Sequence, residues 1–362
     1  MAWRSLCGVR IACVMLFGFA VGCAAARHPI ALKLNTISQA CVERLEVADW
    51  FDSIEISPDD RRFALTGLRD EICIWNMDGT FDRELRWKPG LYFKGWIDAD
   101  RLSANRLWEG YVVDTRTGWA LPRKQARLHR AGPNRWIAIE EAHGRVSLLD
   151  DDFEPIVTTG FPEQRGDRPV RYRTLKNHAV ILAEYDGAVA TWNFDSPRPE
   201  PQLFFIDAAK VVDIYLGAPN RVVADVVRAE VPIRHRIEVR ALDGRFIREF
   251  TDDSFVYESE MGVMLGSAKT DCAAVGAGRL LVAARNVVLG WNLTDGKLLW
   301  RLKIDSPEKL GRDLLVNEAA ACDLTTDGRT LVVATNAEIL WLDAASGTIR
   351  RRVAVGQSLK QR

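Results

Sequence analysis

Near the C-terminus the same pattern occurs twice. Gly278-Arg279-Leu280-Leu281-Val282-Ala283 leads to Trp291-Asn292 and then Asp295-Gly296-Lys297. Fifty residues on, Gly328-Arg329-Thr330-Leu331-Val332-Val333 leads to Trp341-Leu342-Asp343 and Ser346-Gly347-Thr348, and Cys272 and Cys322 keep the same offset. Self-similarity at this period means that one supersecondary unit is being stacked, because a unit this small cannot bury its own apolar surface alone.

Weaker copies lie upstream. Asp60-Arg61 leads to Ile72-Cys73-Ile74-Trp75-Asn76, Asp100-Arg101 to Tyr111-Val112-Val113-Asp114, and Asn134-Arg135 to Val146-Ser147-Leu148-Leu149-Asp150. Asn177-His178 leads to Val189-Ala190-Thr191-Trp192-Asn193, and Asn220-Arg221 to Ile237-Glu238-Val239. Each unit reads as a turn rich in Asp, Asn or Gly, a short β-rich run, a second run, an x-Gly turn and a last strand. Four strands in about 40–50 residues make a propeller blade. The expected fold is all-β, a single propeller over 45–356 of seven four-stranded blades; an eighth would need a unit hidden in 252–270. Apart from the N-terminus, no long stretch has the period of a helix. Residues 31–46 could form a short helix or the strand that closes the ring, and 357–362 are a tail.

These repeats resemble those of WD40-like and quinoprotein-like propellers. Ser57-Pro58-Asp59-Asp60 through Ile74-Trp75-Asn76 is most similar to WD40, and Trp291-Asn292-Leu293-Thr294-Asp295-Gly296-Lys297-Leu298-Leu299-Trp300 to the quinoprotein repeat. The second resemblance would imply a dehydrogenase with vicinal cysteines and acidic calcium ligands. The chain has no adjacent cysteines, and that activity is not expected.

The first 22 residues read as a signal peptide. Arg4 and Arg10 precede an unbroken apolar run from Ile11 to Val21, which is too short to span a bilayer. Ala20-Val21-Gly22-Cys23 resembles the bacterial lipoprotein cleavage box. That likeness implies a lipid on Cys23 and a tether over 23–44, in a membrane-anchored protein facing the periplasm. Ala24-Ala25-Ala26 also fits ordinary secretory cleavage, which would release a soluble periplasmic protein. In anchor and repeat type the chain resembles the propeller lipoprotein of the outer-membrane β-barrel assembly machine, a scaffold usually described with eight blades.

Catalytic signals are missing. There is no G-x-S-x-G and no C-x-x-C, and His28, His129, His143, His178 and His235 show no metal-ligand spacing. Asp59-Asp60 and Asp150-Asp151-Asp152 lack the spaced pattern of a calcium loop and read as solvated turns. Lys plus Arg equal Asp plus Glu at 49 each, so no electrostatic argument favours nucleic acid. The chain is read as no enzyme, with no cofactor, no metal and no identified small-molecule substrate. The alternative is an enzyme or ligand sensor that uses the central channel.

Trp75, Trp192, Trp291 and Trp341 recur in register, which points to packing between blades and not to a ligand platform. Cys272 and Cys322 hold equivalent positions in adjacent units. Equivalent side chains point the same way around a ring, so these two are expected to be unpaired, buried thiols. The long excursions 227–236, 252–270 and 305–318 should share one face over the fifth to seventh blades. There Phe255, Tyr257 and Met261, with Arg234 and Arg236 opposite, form a candidate surface for a protein partner in the envelope.

Overall fold

The computed structural model describes residues 32–37 and most of 51–354; stretches 1–31, 38–50, 163–168, 228–234, 254–271, 305–318, 355–362 and several shorter connections lie outside the described residues. Within them, seven antiparallel sheets follow one another along the chain, each with four consecutive strands in the order innermost to outermost. Blades 1 to 7 span 51–86, 92–123, 127–160, 171–205, 210–250, 272–303 and 319–354. They correspond one to one with the seven units read from the sequence.

The strands are cut by their turns. The third and outer strands are joined by a turn whose Asp or Asn carboxyl or amide oxygen caps the following N–H groups. Asp114 accepts from the Arg116 and Thr117 N–H groups, Asp343 from Ala345 and Ser346, and Asn292 from Thr294. Most second and third strands are apolar runs and not alternations: Ile72-Cys73-Ile74-Trp75 and Ile339-Leu340-Trp341-Leu342 are buried throughout. Sheets covered on both faces require this pattern. Outer strands alternate exposed and half-buried residues, as in Pro155–Gly160 and Leu298–Lys303.

The core is therefore a set of apolar layers between blades. One layer joins blade 7 to blade 1, through Val332, Ala334, Ile339 and Trp341 against Ile56, Phe63, Leu65 and Trp75. The last blade supplies its own outer strand, Ile349–Ala354, so the ring closes by face packing. Two polar links seal the same junction. The Ile56 N–H donates to the Asp323 carboxylate at 2.6 Å, and the Thr326 N–H to Asp60 at 3.0 Å. Residues 32–37 do not complete blade 7. Leu32–Lys33 pairs antiparallel with the outer strand of blade 2, Asn35–Ile37 with that of blade 1, and Leu34 is buried between the two.

A second device repeats around the ring. An outer-strand side chain reaches over the third-to-outer turn of the next blade. Arg83 donates to the Thr115 and Arg116 carbonyls, Arg248 to those of Thr294 and Asp295, and the Trp300 indole to that of Ala344. Gly347 sits beneath Trp300 with φ +69°, and a Cβ there would stand 2.5 Å from the ring. The turn needs glycine both for its backbone and for the close approach of the neighbour.

The four tryptophans are all buried between blades, at 3% exposure or less. Trp75, Trp192 and Trp291 face the preceding blade, while Trp341 faces the following one, blade 1. The cause is visible in the turns. Gly296 N–H bonds the carbonyl of Asn292, the residue after Trp291, whereas Gly347 N–H bonds that of Asp343, two after Trp341. One residue of offset turns a strand side chain to the other face.

The same slip corrects the reading of the cysteines. Cys272 and Cys322 are bonded to each other in a disulfide, with Cα atoms 5.7 Å apart. Blade 6 turns from its innermost to its second strand over Ala277-Gly278, between the paired Gly276 and Arg279. Blade 7 uses the longer Thr325–Thr330 turn, where Thr325 N–H bonds the Thr330 carbonyl. The fifty-residue offset is therefore not the structural one. Cys272 shares its face with Ala283 and looks toward blade 7; Cys322 shares its face with Val333 and looks toward blade 6. The 10 Å spacing of packed sheets does not hold near the axis, where innermost strands converge. Cys73 is also disulfide-bonded.

Two outcomes test this packing. Trp300→Ala and Gly347→Ala should each destabilise the fold by about 1–3 kcal/mol, through lost contact in one case and strain in the other, read as a lowered midpoint in denaturant unfolding. Peptide mapping without reductant should return Cys272 and Cys322 as one cross-linked pair, and replacing both with Ser should cost about 2–4 kcal/mol.

Candidate interaction faces

Antiparallel strands running outward from the axis divide the disc into two faces. Innermost-to-second and third-to-outer turns open on one, here the turn face. Second-to-third turns and the links between blades open on the other, the link face.

The axis is lined by innermost strands, whose inner edges carry unpaired backbone groups. Acidic side chains are spent on these edges. Asp323 accepts the Ile56 N–H of the next blade, and Glu55 accepts the Trp96 N–H at 3.0 Å while the Trp96 indole donates to the Glu55 carbonyl at 2.8 Å. Asp213, 5% exposed, accepts its own neighbour's N–H from Ile214 and pairs with Arg173 of blade 4 at 3.3 Å. Sequence reading did not single out these acids. For Asp213 and Asp323 the signal was a lone carboxylate within the innermost strand; Glu55 shares its strand with Asp52 and gave no such signal. Each stitches one blade to another or caps an edge, so the channel acids are structural groups.

On the turn face a charged cleft of about 330 Å³ is lined by Asp98, Ala99, Asp100, Arg101, Asp114 and Arg116. Its charges are neutralised internally. Arg101 pairs with Asp98 at 2.6 Å, Arg116 with Asp100 at 3.4 Å, and Arg62 reaches across from blade 1 to Asp100 at 2.8 Å. Arg62 also lies over the Trp96 ring at 5.4 Å, and Arg101 over Trp136 at 5.9 Å. These cation–π contacts repeat from one junction to the next.

The acids considered for calcium serve turns. Asp59 accepts the Ser57 hydroxyl at 2.7 Å, Asp60 holds Thr326, and Asp150 caps the Asp152 and Glu154 N–H groups. Among the described residues no group of three or more His, Cys, Asp or Glu is placed to hold a metal.

Of the proposed rim, Phe255, Tyr257, Met261 and Arg234 lie outside the described residues, as does Cys23. Arg236 lies on the strand His235–Ala241, opposite Val226, and pairs with Glu249 of the same blade at 2.8 Å. What is visible is how the long link is anchored. At one end Asp252 pairs with Arg301 of blade 6 at 3.1 Å; at the other, Cys272 is stapled to blade 7.

No protein-family model matches this sequence, and no curated protein matches it. Solved structures do. The chain superposes on the crystal structure of the RRP9 WD40 repeats with a TM-score of 0.58 at 14% identity, covering 84% of this chain and 92% of that one. It superposes on the structure of U3-55K with a TM-score of 0.58 at 12% identity, covering 89% and 98%. The chain is a WD40-like β-propeller. At these identities the likeness defines the fold alone.

The acids of the WD40-like turns carry a pH prediction. The Thr325 hydroxyl and the Arg329 N–H hold Asp327 below the usual carboxylate range. Burial pushes Asp343 up, but the Ser346 N–H and the Arg350 guanidinium outweigh it and leave it lowered. A depressed folded value stabilises the fold above the unfolded value near about 3.9 and is lost as pH falls through the folded one. The melting temperature should therefore be level near neutrality and fall below about pH 4. Asp343→Ala should lower the neutral melting temperature and flatten that acid limb.

Proposed function

We propose that this chain is a lipid-anchored interaction scaffold of the cell envelope, without catalytic chemistry, which holds another envelope protein against the link face over blades 5 to 7. The observation that carries the reading is the anchoring of the link between blades 5 and 6 at both ends, by the Asp252–Arg301 pair and the Cys272–Cys322 disulfide. A long connection fixed to a rigid ring is a suitable place to present apolar anchors, and Phe255, Tyr257 and Met261 belong to it. The disulfides favour an oxidising compartment, in keeping with export. The Ala20-Val21-Gly22-Cys23 box supports acylation of Cys23, and two or three chains make such anchoring stable.

Two measurements test it. Replacing Phe255 and Tyr257 with Ala should abolish cross-linking to the envelope partner while the melting temperature stays unchanged; undiminished cross-linking contradicts the rim. Mass analysis of the mature protein should give an acylated Cys23 as its first residue. A first residue of Arg27 would make it a soluble periplasmic propeller.

A further inference from the structure

We propose that the rim of blades 6 and 7 docks on an anionic lipid surface and holds the disc edge-on to it. The inference deepens the envelope reading and rests on Cys23 as the lipid anchor.

Charge is shared unevenly around the rim. From the third-to-outer turn to the end of the outer strand, blades 6 and 7 carry Lys297, Arg301, Lys303, Arg350, Arg351 and Arg352 against Asp295 and Asp343. The same positions in blades 3 and 4 carry Asp150, Asp151, Asp152, Glu154, Asp195 and Glu200 against Arg198. Blades 1, 2 and 5 are near balance there. A chain whose cations and anions are equal overall is thus polarised across its ring.

The six cations of blades 6 and 7 are all exposed. Acids steady three of them without hiding them: Arg301 pairs with Asp252 at 3.1 Å, Arg350 with Asp343, and Arg352 with Glu338 at 3.9 Å. Arg351 lies across Gly79 of blade 1 and over the Trp341 ring at 6.0 Å. Lys297 and Lys303 pair with no acid among the described residues. Between these two lysines, Leu298 and Leu299 stand 39% and 42% exposed, while Trp300 is spent on the turn of blade 7.

What is left at the surface is aliphatic and cationic. Protein interfaces favour aromatic anchors and deplete lysine at their centre. A bilayer surface suits this strip better. The leucines enter the headgroup layer, and the Lys and Arg stems lie along it with their charges at the phosphates. The chain also leads there. Eight residues separate Cys23 from Leu32, a reach of about 30 Å at most. Residues 32–37 then run over the outer edges of blades 2 and 1, and blade 1 adjoins blade 7. Docked on this arc, the disc leaves its link face open to a partner and turns the acidic rims of blades 3 and 4 away from like-charged phosphates.

Amine acetylation on vesicles tests this. The acylated chain is placed on vesicles of phosphatidylcholine, alone or mixed with phosphatidylglycerol. Capture by phosphatidylcholine reports the lipid on Cys23, so failure of the anchor and failure of docking read out separately. On the mixed vesicles acetylation of Lys297 and Lys303 should slow by about tenfold, and high salt should restore it. Leu298→Glu together with Leu299→Glu, both at exposed positions, should leave the melting temperature unchanged and remove most of the slowing. Equal rates on the two vesicles, or slowing that survives salt or the double replacement, overturns the proposal. Slowing in whole envelopes but not on pure lipid overturns it in favour of an acidic protein. Slowing on phosphatidylcholine that grows with protein density overturns it in favour of blades 3 and 4 of a second copy.

Discussion

Each sheet of this protein has two apolar faces and no layer of its own to cover them. That requirement drives everything else. A four-stranded blade whose third strand reads Ile-Leu-Trp-Leu or Ile-Cys-Ile-Trp is stable only between two others, and the remaining faces of the first and last blades are covered only by each other. The ring is closed because an open one would expose two such faces to water. The polar contacts refine this packing. Asp323 on Ile56, Glu55 on Trp96 and Asp60 on Thr326 fix the relative height of neighbours and satisfy backbone groups that would otherwise line the axis unpaired.

Much of this was legible in the sequence because the turns are chemically explicit. An Asn or Asp followed by a glycine at positive φ marks the third-to-outer turn in blades 1, 2, 5, 6 and 7, while in blades 3 and 4 the turn carries Asp or Asn without glycine; the apolar run before it marks a strand covered on both sides. Those two signals were enough for seven blades. Side-chain direction was not legible to the same degree. The repeat aligned Cys272 with Cys322 and Trp291 with Trp341, yet the blade 6 and blade 7 hairpins differ in length, and a slip of one residue reverses the face. Sequence spacing does not report that slip when both turns contain glycine before an Arg, Gly278-Arg279 in one and Gly328-Arg329 in the other. The placement of residues 32–37 was equally hidden: two strands of two and three residues, pairing with distant edges, leave no periodicity to read.

The candidate sites divide along the same line. Residues in repeat register, such as the tryptophans, are explained by architecture, and so are the acids inside innermost strands. Features that break the repeat are the better guides to function. The link beyond Asp252 is longer in sequence than its counterparts, and the residues that flank it are tied to blades 6 and 7.

Native-state hydrogen exchange followed by mass spectrometry tests the dependence of each blade on its neighbours most directly. If the seven sheets stand or fall together, the amides of Phe63–Leu65 in blade 1 and Val332–Ala334 in blade 7 should exchange with the same opening free energy and the same response to denaturant. A blade 1 that opens at markedly lower free energy while blade 7 stays protected would contradict a ring closed by the faces of its first and last sheets.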